Sequence, residues 1–239
     1  MRVALIGIVL VIFAIVSLPL YLAAYLLGKK DQKKQVAFSQ AIVTKVLRIM
    51  LWIAGVKLEC KGVEQVPKDE PIMYIGNHRS YVDILVGYCT VPTLTGFVSK
   101  DSLKRVPCIS RWMYFLKCLF LNREDGKQSL QVILKGIEQI KQGFSIFIMP
   151  EGTRNHGEEL LPFHEGSFKL STKTGCAIVP VAMKNTDKVV GNHFAWFHPI
   201  KVTVVYGAPV YPDSLEKEEK KFIGAYMQNI MKQMLENMD

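Results

Sequence analysis

Val3 to Leu27 runs for about 25 residues without a charged side chain, enough at ~1.5 Å per residue to cross a ~30 Å hydrocarbon layer as a helix. A secretory signal has an apolar core of ~7–15 residues and a small-residue cleavage site, and Ala23-Ala24 matches that site poorly. The pattern predicts a membrane segment over residues 3–27, with Pro19 placed to kink it. A second apolar stretch, residues 36–54, carries Lys45 and Arg48 at helical spacing and Trp52 near its end. That is the pattern of a helix lying along a lipid interface. The pair reads either as one span plus a surface helix or as a hairpin dipping into a single leaflet. Residues 1–55 are thus expected to form an N-terminal membrane anchor, ahead of a domain over residues 56–239.

From residue 56 the period changes. Short apolar runs predict strands over Lys57 to Cys60, Ile72 to Ile75, Gly96 to Ser99, Cys118 to Leu121, Ser145 to Met149, Ala177 to Met183 and Ile200 to Tyr206. Between two of them, Leu130, Ile133, Leu134, Ile137 and Ile140 recur at helical spacing within Lys127 to Gln142, and Gly143 closes that helix. Gly166 to Thr174 predicts a short helix closed by Gly175, and Asp213 to Asn237 a last one with an apolar stripe from Phe222 to Leu235. This alternation implies an α/β fold with a mixed, largely parallel central sheet flanked by helices.

Charge sharpens the membrane reading. The formal net charge is +9, which favours anionic surfaces. Arg2 alone precedes the first apolar segment, whereas Lys29, Lys30, Lys33 and Lys34 follow it, so the domain is expected on the cytoplasmic side of the cell membrane. Nucleic acid would also attract such a chain, but zinc-ligand spacing, aromatic–basic motifs and basic repeats are missing. The five cysteines are scattered without a C-x-x-C pair and read as reduced, mostly buried residues.

Candidate chemistry lies where apolar runs stop. His78 and Asp83 follow the run Ile72 to Ile75. Five positions on a helix turn through about 140°, so the two meet only if His78 lies in the turn and Asp83 opens the next helix. An imidazole takes and returns a proton near neutral pH, and a carboxylate fixes its tautomer. Taken alone, the spacing is a weak signal, since a histidine and an acid this close are usually an ordinary loop pair. A second cluster, Pro150-Glu151-Gly152-Thr153-Arg154, ends the run Phe144 to Met149, and a third run, Cys118 to Asn122, ends at Arg123. Guanidinium groups at strand ends suit phosphate.

These blocks, His78 to Asp83, Leu119 to Arg123, Met149 to Arg154 and Ile178 to Val181, in this order resemble the glycerolipid acyltransferase family with its H-x4-D motif. The resemblance covers residues 57–210. It implies transfer of a fatty acyl group from acyl-CoA or acyl carrier protein to the sn-2 hydroxyl of 1-acyl-glycerol 3-phosphate, lysophosphatidic acid, giving phosphatidic acid. His78 would be the general base and Asp83 its orienting partner, with Arg123 and Arg154 clamping the phosphate. Glu151, Gly152 and Thr153 would bind the acceptor, joined by Asn77 and by Lys100 at another strand end, while Pro180 shapes an apolar wall. Neither a cofactor, a catalytic metal nor a nucleic-acid partner is expected, and oligomeric state is left open. Two rivals stand beside this: an acyltransferase acting on glycerol 3-phosphate or another lysophospholipid, and a non-catalytic lipid-binding protein of the same fold. Met149 and Cys118 depart from the residues usual in the blocks, which touches chain preference and a local turn. Ser80 is a loop residue, since G-x-S-x-G is absent. His156, His164, His193 and His198 lack any such context.

Overall fold

A computed structural model describes residues 1–122, 125–157, 159–190 and 196–238. The first two helices, α1 (Arg2–Lys30) and α2 (Gln32–Ala54), turn back on each other at Asp31, whose side chain accepts from the Lys33 and Lys34 N–H groups. The sheet then forms from β1 (Lys57–Lys61), β2 (Met73–Gly76), β3 (Thr95–Lys100), β4 (Leu119–Leu121), β5 (Ser145–Ile148), β6 (Ile178–Lys184) and β7 (Lys201–Tyr206) in the order β1-β7-β6-β2-β5-β3-β4. All neighbours run parallel except β6 and β7. The predicted strands all form, and the sheet is mixed and largely parallel as expected.

Helices cover both faces. On one side α3 (Val82–Thr90) packs under α2, joined by α4 (Ile109–Phe115). Its core is aromatic: the Phe97 and Phe147 rings stack at 4.6 Å and Tyr88 on Phe97 at 4.1 Å. On the other side lie α5 (Gly126–Lys141), α6 (Lys169–Thr174), α7 (Lys217–Lys221) and α8 (Ile223–Glu236). The predicted stripe of α5 is rotated in the structure, where Val132, Gly136 and Ile140 are buried and Leu130 and Leu134 face outward. A Cβ at Gly136 would lie 2.5 Å from Leu170 Cδ2, so a small residue sets the face that approaches α6. The predicted single C-terminal helix is broken at Phe222, because the Glu165 carboxylate accepts from the Gly224 N–H and starts α8 afresh.

The two N-terminal helices pack on the α/β domain. Ile6, Leu51 and Ala54 share the core beneath α3, and Trp112 of α4 donates to Ser17 of α1 at 2.8 Å. Arg2 reaches the carbonyls of Ala54 and Phe197 at 3.3 and 3.2 Å. At the hairpin turn Lys117 donates to Gln32. The start of α1 and the hairpin turn therefore rest on the same α/β domain, while Val11, Ile15, Leu18 and Leu22 on the outer side of α1 are more than half exposed. Pro19 lies inside α1 without ending it.

Gly96 of β3 sits at a close backbone approach. A Cβ there would lie 2.4 Å from the Lys117 carbonyl oxygen, which a main chain cannot yield. Gly96→Ala should lower unfolding free energy by about 1–3 kcal/mol through overpacking. Gly126→Ala, with nothing within 4 Å of its Cβ, should be neutral or stabilising. Urea titration of detergent-solubilised protein reads both.

Candidate active site

Parallel pairing decides where the chemistry collects. β2, β5 and β3 are neighbours, with Ile75 opposite Ile148 and Phe97 opposite Phe147. Counting on from that register brings His78, three residues past Ile75, level with Glu151, three past Ile148. Lys100 ends β3 at the same edge and is exposed. Carboxyl ends of strands in such sheets form the natural crevice for a ligand.

The turn after β2 is held by two buried carboxylates. Asp83, fully buried in the first turn of α3, accepts at Oδ2 from His78 Nδ1 at 2.8 Å, Arg79 N at 2.7 Å and Ser80 N at 2.8 Å. Its Oδ1 has no partner among the described residues. Glu151, 3% exposed, accepts at Oε1 from the His78 N–H at 2.7 Å. Its Oε2 accepts from Leu161 N at 3.0 Å and Asn155 Nδ2 at 3.2 Å.

With Nδ1 committed to Asp83, the imidazole carries its proton there and offers Nε2, which has no hydrogen bond among the described residues. The ring is 16% exposed, reachable yet shielded. Arg154 lies over the Tyr81 ring with its guanidinium carbon 4.0 Å from the centroid, an arrangement that fixes the plane of the fork. Gly152 has φ +77, the left-handed turn that brings Thr153 and Arg154 round after Glu151. Thr153 is exposed.

Two expected positions sit elsewhere in kind. Asn77 is 2% exposed, and its amide exchanges bonds with the Met183 backbone at 2.9 and 2.8 Å, which ties β2 to β6. Pro180 lies in mid-strand opposite Ile75, beside Met234 of α8 around Gly207, and so belongs to the core under α8. It occupies the gap between the Ile178–Val210 bridge and the Val181–Tyr206 pairing, where its missing N–H costs no ladder bond. Arg123 and His193 fall outside the described residues. Thiols are poor rivals for the nucleophile: burial pushes Cys89 up to about 11 and raises Cys118 as well. A cavity of about 740 Å³ lies between α2 and α3 near Arg48, Trp52 and Cys89, at the end of α3 away from Asp83.

Tyr81 and Asn155 were not found by sequence reasoning. Each is an unremarkable member of its loop, and only the fold shows Tyr81 beneath Arg154 and Asn155 against Glu151.

A profile of the Acyltransferase family matches residues 57–184. The chain belongs to this family. It is 35% identical over 141 residues to the 1-acyl-sn-glycerol-3-phosphate acyltransferase of Borreliella burgdorferi, covering 59% of this chain and 56% of that one. Against the Saccharomyces cerevisiae protein of the same name it is 30% identical over 196 residues, covering 81% and 62%. The chain thus spans between about half and two thirds of these curated relatives. In fold it is similar to the crystal structure of the 1-acyl-sn-glycerophosphate (LPA) acyltransferase from Thermotoga maritima, with a TM-score of 0.77, 23% identity and coverage of 100% and 98%.

Glu151→Gln would turn an amide N–H₂ toward a backbone N–H on one side or the other. The expected loss is about 1–3 kcal/mol of unfolding free energy for the unsatisfied buried group. Thr153→Ala at an exposed position should stay within about 0.5 kcal/mol of the parent. Thermal and urea unfolding compare the two.

Proposed function

We propose that this chain is a membrane-bound acyltransferase that moves a fatty acyl group from acyl-CoA or acyl carrier protein to the sn-2 hydroxyl of 1-acyl-sn-glycerol 3-phosphate. The observation that carries the reading is the imidazole of His78, anchored through Nδ1 on buried Asp83 and open at Nε2, on the strand edge that also bears Lys100 and Arg154. Nε2 takes the proton as the sn-2 oxygen attacks the thioester carbonyl. A C–O bond forms, the C–S bond breaks, and the proton passes from His78 to the departing thiolate. The thioester is already activated, so an acyl-enzyme is unnecessary. Asp83 stabilises the imidazolium between these transfers, work commonly worth about 10²–10⁴-fold in rate. Arg154, its plane fixed on Tyr81, receives the acceptor's phosphate through paired donors, with Lys100 as a further cation and Arg123 in the same role. The names of the relatives favour lysophosphatidate over glycerol 3-phosphate as acceptor. The intact His78–Asp83 pair supports an enzyme over a lipid-binding relative without turnover.

The hairpin supports a placement in a single leaflet. A helix α1 that crossed the bilayer would carry Arg2 to the far side, where it could not meet Phe197. Lying instead along one leaflet, α1 turns its exposed apolar side into the acyl chains. Lys29, Lys30, Lys33 and Lys34 at the turn favour the anionic cytoplasmic surface.

His78→Ala should abolish turnover of radiolabelled acyl-CoA with 1-acyl-glycerol 3-phosphate by at least about 10²-fold while leaving vesicle binding intact; residual turnover near the parent's would remove the mechanism. Arg154→Ala should raise KM for the phosphorylated acceptor and leave that of the donor unchanged, and an equal rise in both contradicts the clamp. For the anchor, Ile15→Asp with Leu18→Asp should cut co-sedimentation with anionic vesicles at least about tenfold, given ~2.5–3.5 kcal/mol per acidic residue at the bilayer centre, with unchanged circular dichroism. Undiminished binding would count against the leaflet placement.

A further inference from the structure

Beyond the pair that meets the substrate, we infer that Asn155 is the positioning residue that holds the main chain of His78 in place, an inference that rests on the reading of His78 as the base. Asn155 is 5% exposed. Its backbone N–H donates to the His78 carbonyl at 2.7 Å, and the His78 N–H donates to Glu151 Oε1 at 2.7 Å. Both polar groups of the His78 peptide backbone are thereby taken by a single short loop, residues 151–155. The Asn155 side chain then locks that loop on itself. Nδ2 donates to Glu151 Oε2 at 3.2 Å and to the Glu159 carbonyl, and Oδ1 accepts from the Gly157 N–H at 2.8 Å.

Donor direction makes an asparagine specific here. Nδ2 faces two oxygens, Glu151 Oε2 and the Glu159 carbonyl, and its N–H₂ group supplies one hydrogen to each. Oδ1 faces a donor. Side-chain amide and carboxylate have the same shape, so aspartate would fit the space and place an acceptor against both oxygens. Buried like-facing acceptors repel strongly in a low dielectric. If Glu151 turned away, the His78 N–H would lose its partner and the imidazole its fixed position over Asp83. A displacement of about 1 Å at a reacting group is enough to cost on the order of 10²-fold in rate. Packing alone makes the opposite prediction, since it ranks the isosteric aspartate above alanine.

The experiment compares Asn155→Ala, Asn155→Asp and the double variant Asn155→Asp/Glu151→Gln, full-length in detergent or vesicles. Turnover should fall in the order parent, alanine, aspartate, with kcat lowered at least tenfold in the aspartate variant and KM for donor and acceptor within twofold. In the double variant the glutamine amide also faces the Leu161 N–H, but relieving the repulsion of two buried carboxylates should outweigh that and regain at least part of the lost kcat. Long-range ¹H–¹⁵N correlation of the His78 ring, recorded without substrate, should show the Nδ1–H tautomer in the parent and a mixture in Asn155→Asp. An aspartate variant as active as the alanine variant or better, a double variant no better than Asn155→Asp, or an unchanged ring spectrum would each overturn the inference. Because the spectrum needs no substrate, it still decides the point if the parent fails to acylate lysophosphatidate, a failure that would fall on the proposed activity instead. Should Asn155→Asp not fold, the alanine variant's ring spectrum and kcat-against-KM split carry the test.

Discussion

Three consecutive backbone N–H groups, those of His78, Arg79 and Ser80, point at two carboxylates that the fold removes from water. An ionised carboxylate stripped of solvent costs several kcal/mol unless donors replace the water. Asp83 and Glu151 therefore hold the turn as firmly as the turn holds them, and neither can move without orphaning a buried charge. The imidazole rides on the first of these three residues. Its position follows from electrostatic satisfaction of the main chain, before any substrate arrives.

The sheet makes this possible. Parallel register between β2 and β5 sets the two loops side by side, one carrying histidine and the other glutamate. The same edge collects the end of β3, so Lys100 and Arg154, from separate stretches of chain, share a front with His78. The aromatic stack of Tyr88, Phe97 and Phe147 beneath that front is rigid and close-packed.

Strand periodicity was readable because buried parallel strands are short uniform runs bounded by glycine, proline or polar residues, and all seven stood out that way. The His78–Asp83 meeting was readable through the requirement that a five-residue interval bridge a turn and a helix start. Faces were harder. In α5 the leucines at 130 and 134 look like core, yet Gly136 decides which side lies against α6, and a glycine contributes nothing to an apolar stripe. The break at Phe222 depends on Glu165, far away in sequence. Asn77 and Glu151 look alike as polar residues next to a motif, and only the fold shows that both spend their side chains on backbone groups. The hairpin's seat on the domain was hidden for the same reason: Arg2 finds Phe197 through folding and through no local pattern.

That last contact bears on how the chain is assembled. Residues 2 and 197 are 195 positions apart, and β1 has only β7 for a neighbour in the sheet. On a ribosome, the greasy hairpin and the first edge strand are therefore made long before the segment that secures them exists. Until that segment emerges, the faces of the hairpin that pack on the α/β domain have nothing to cover them, and the last third of the chain closes the structure that the first third began.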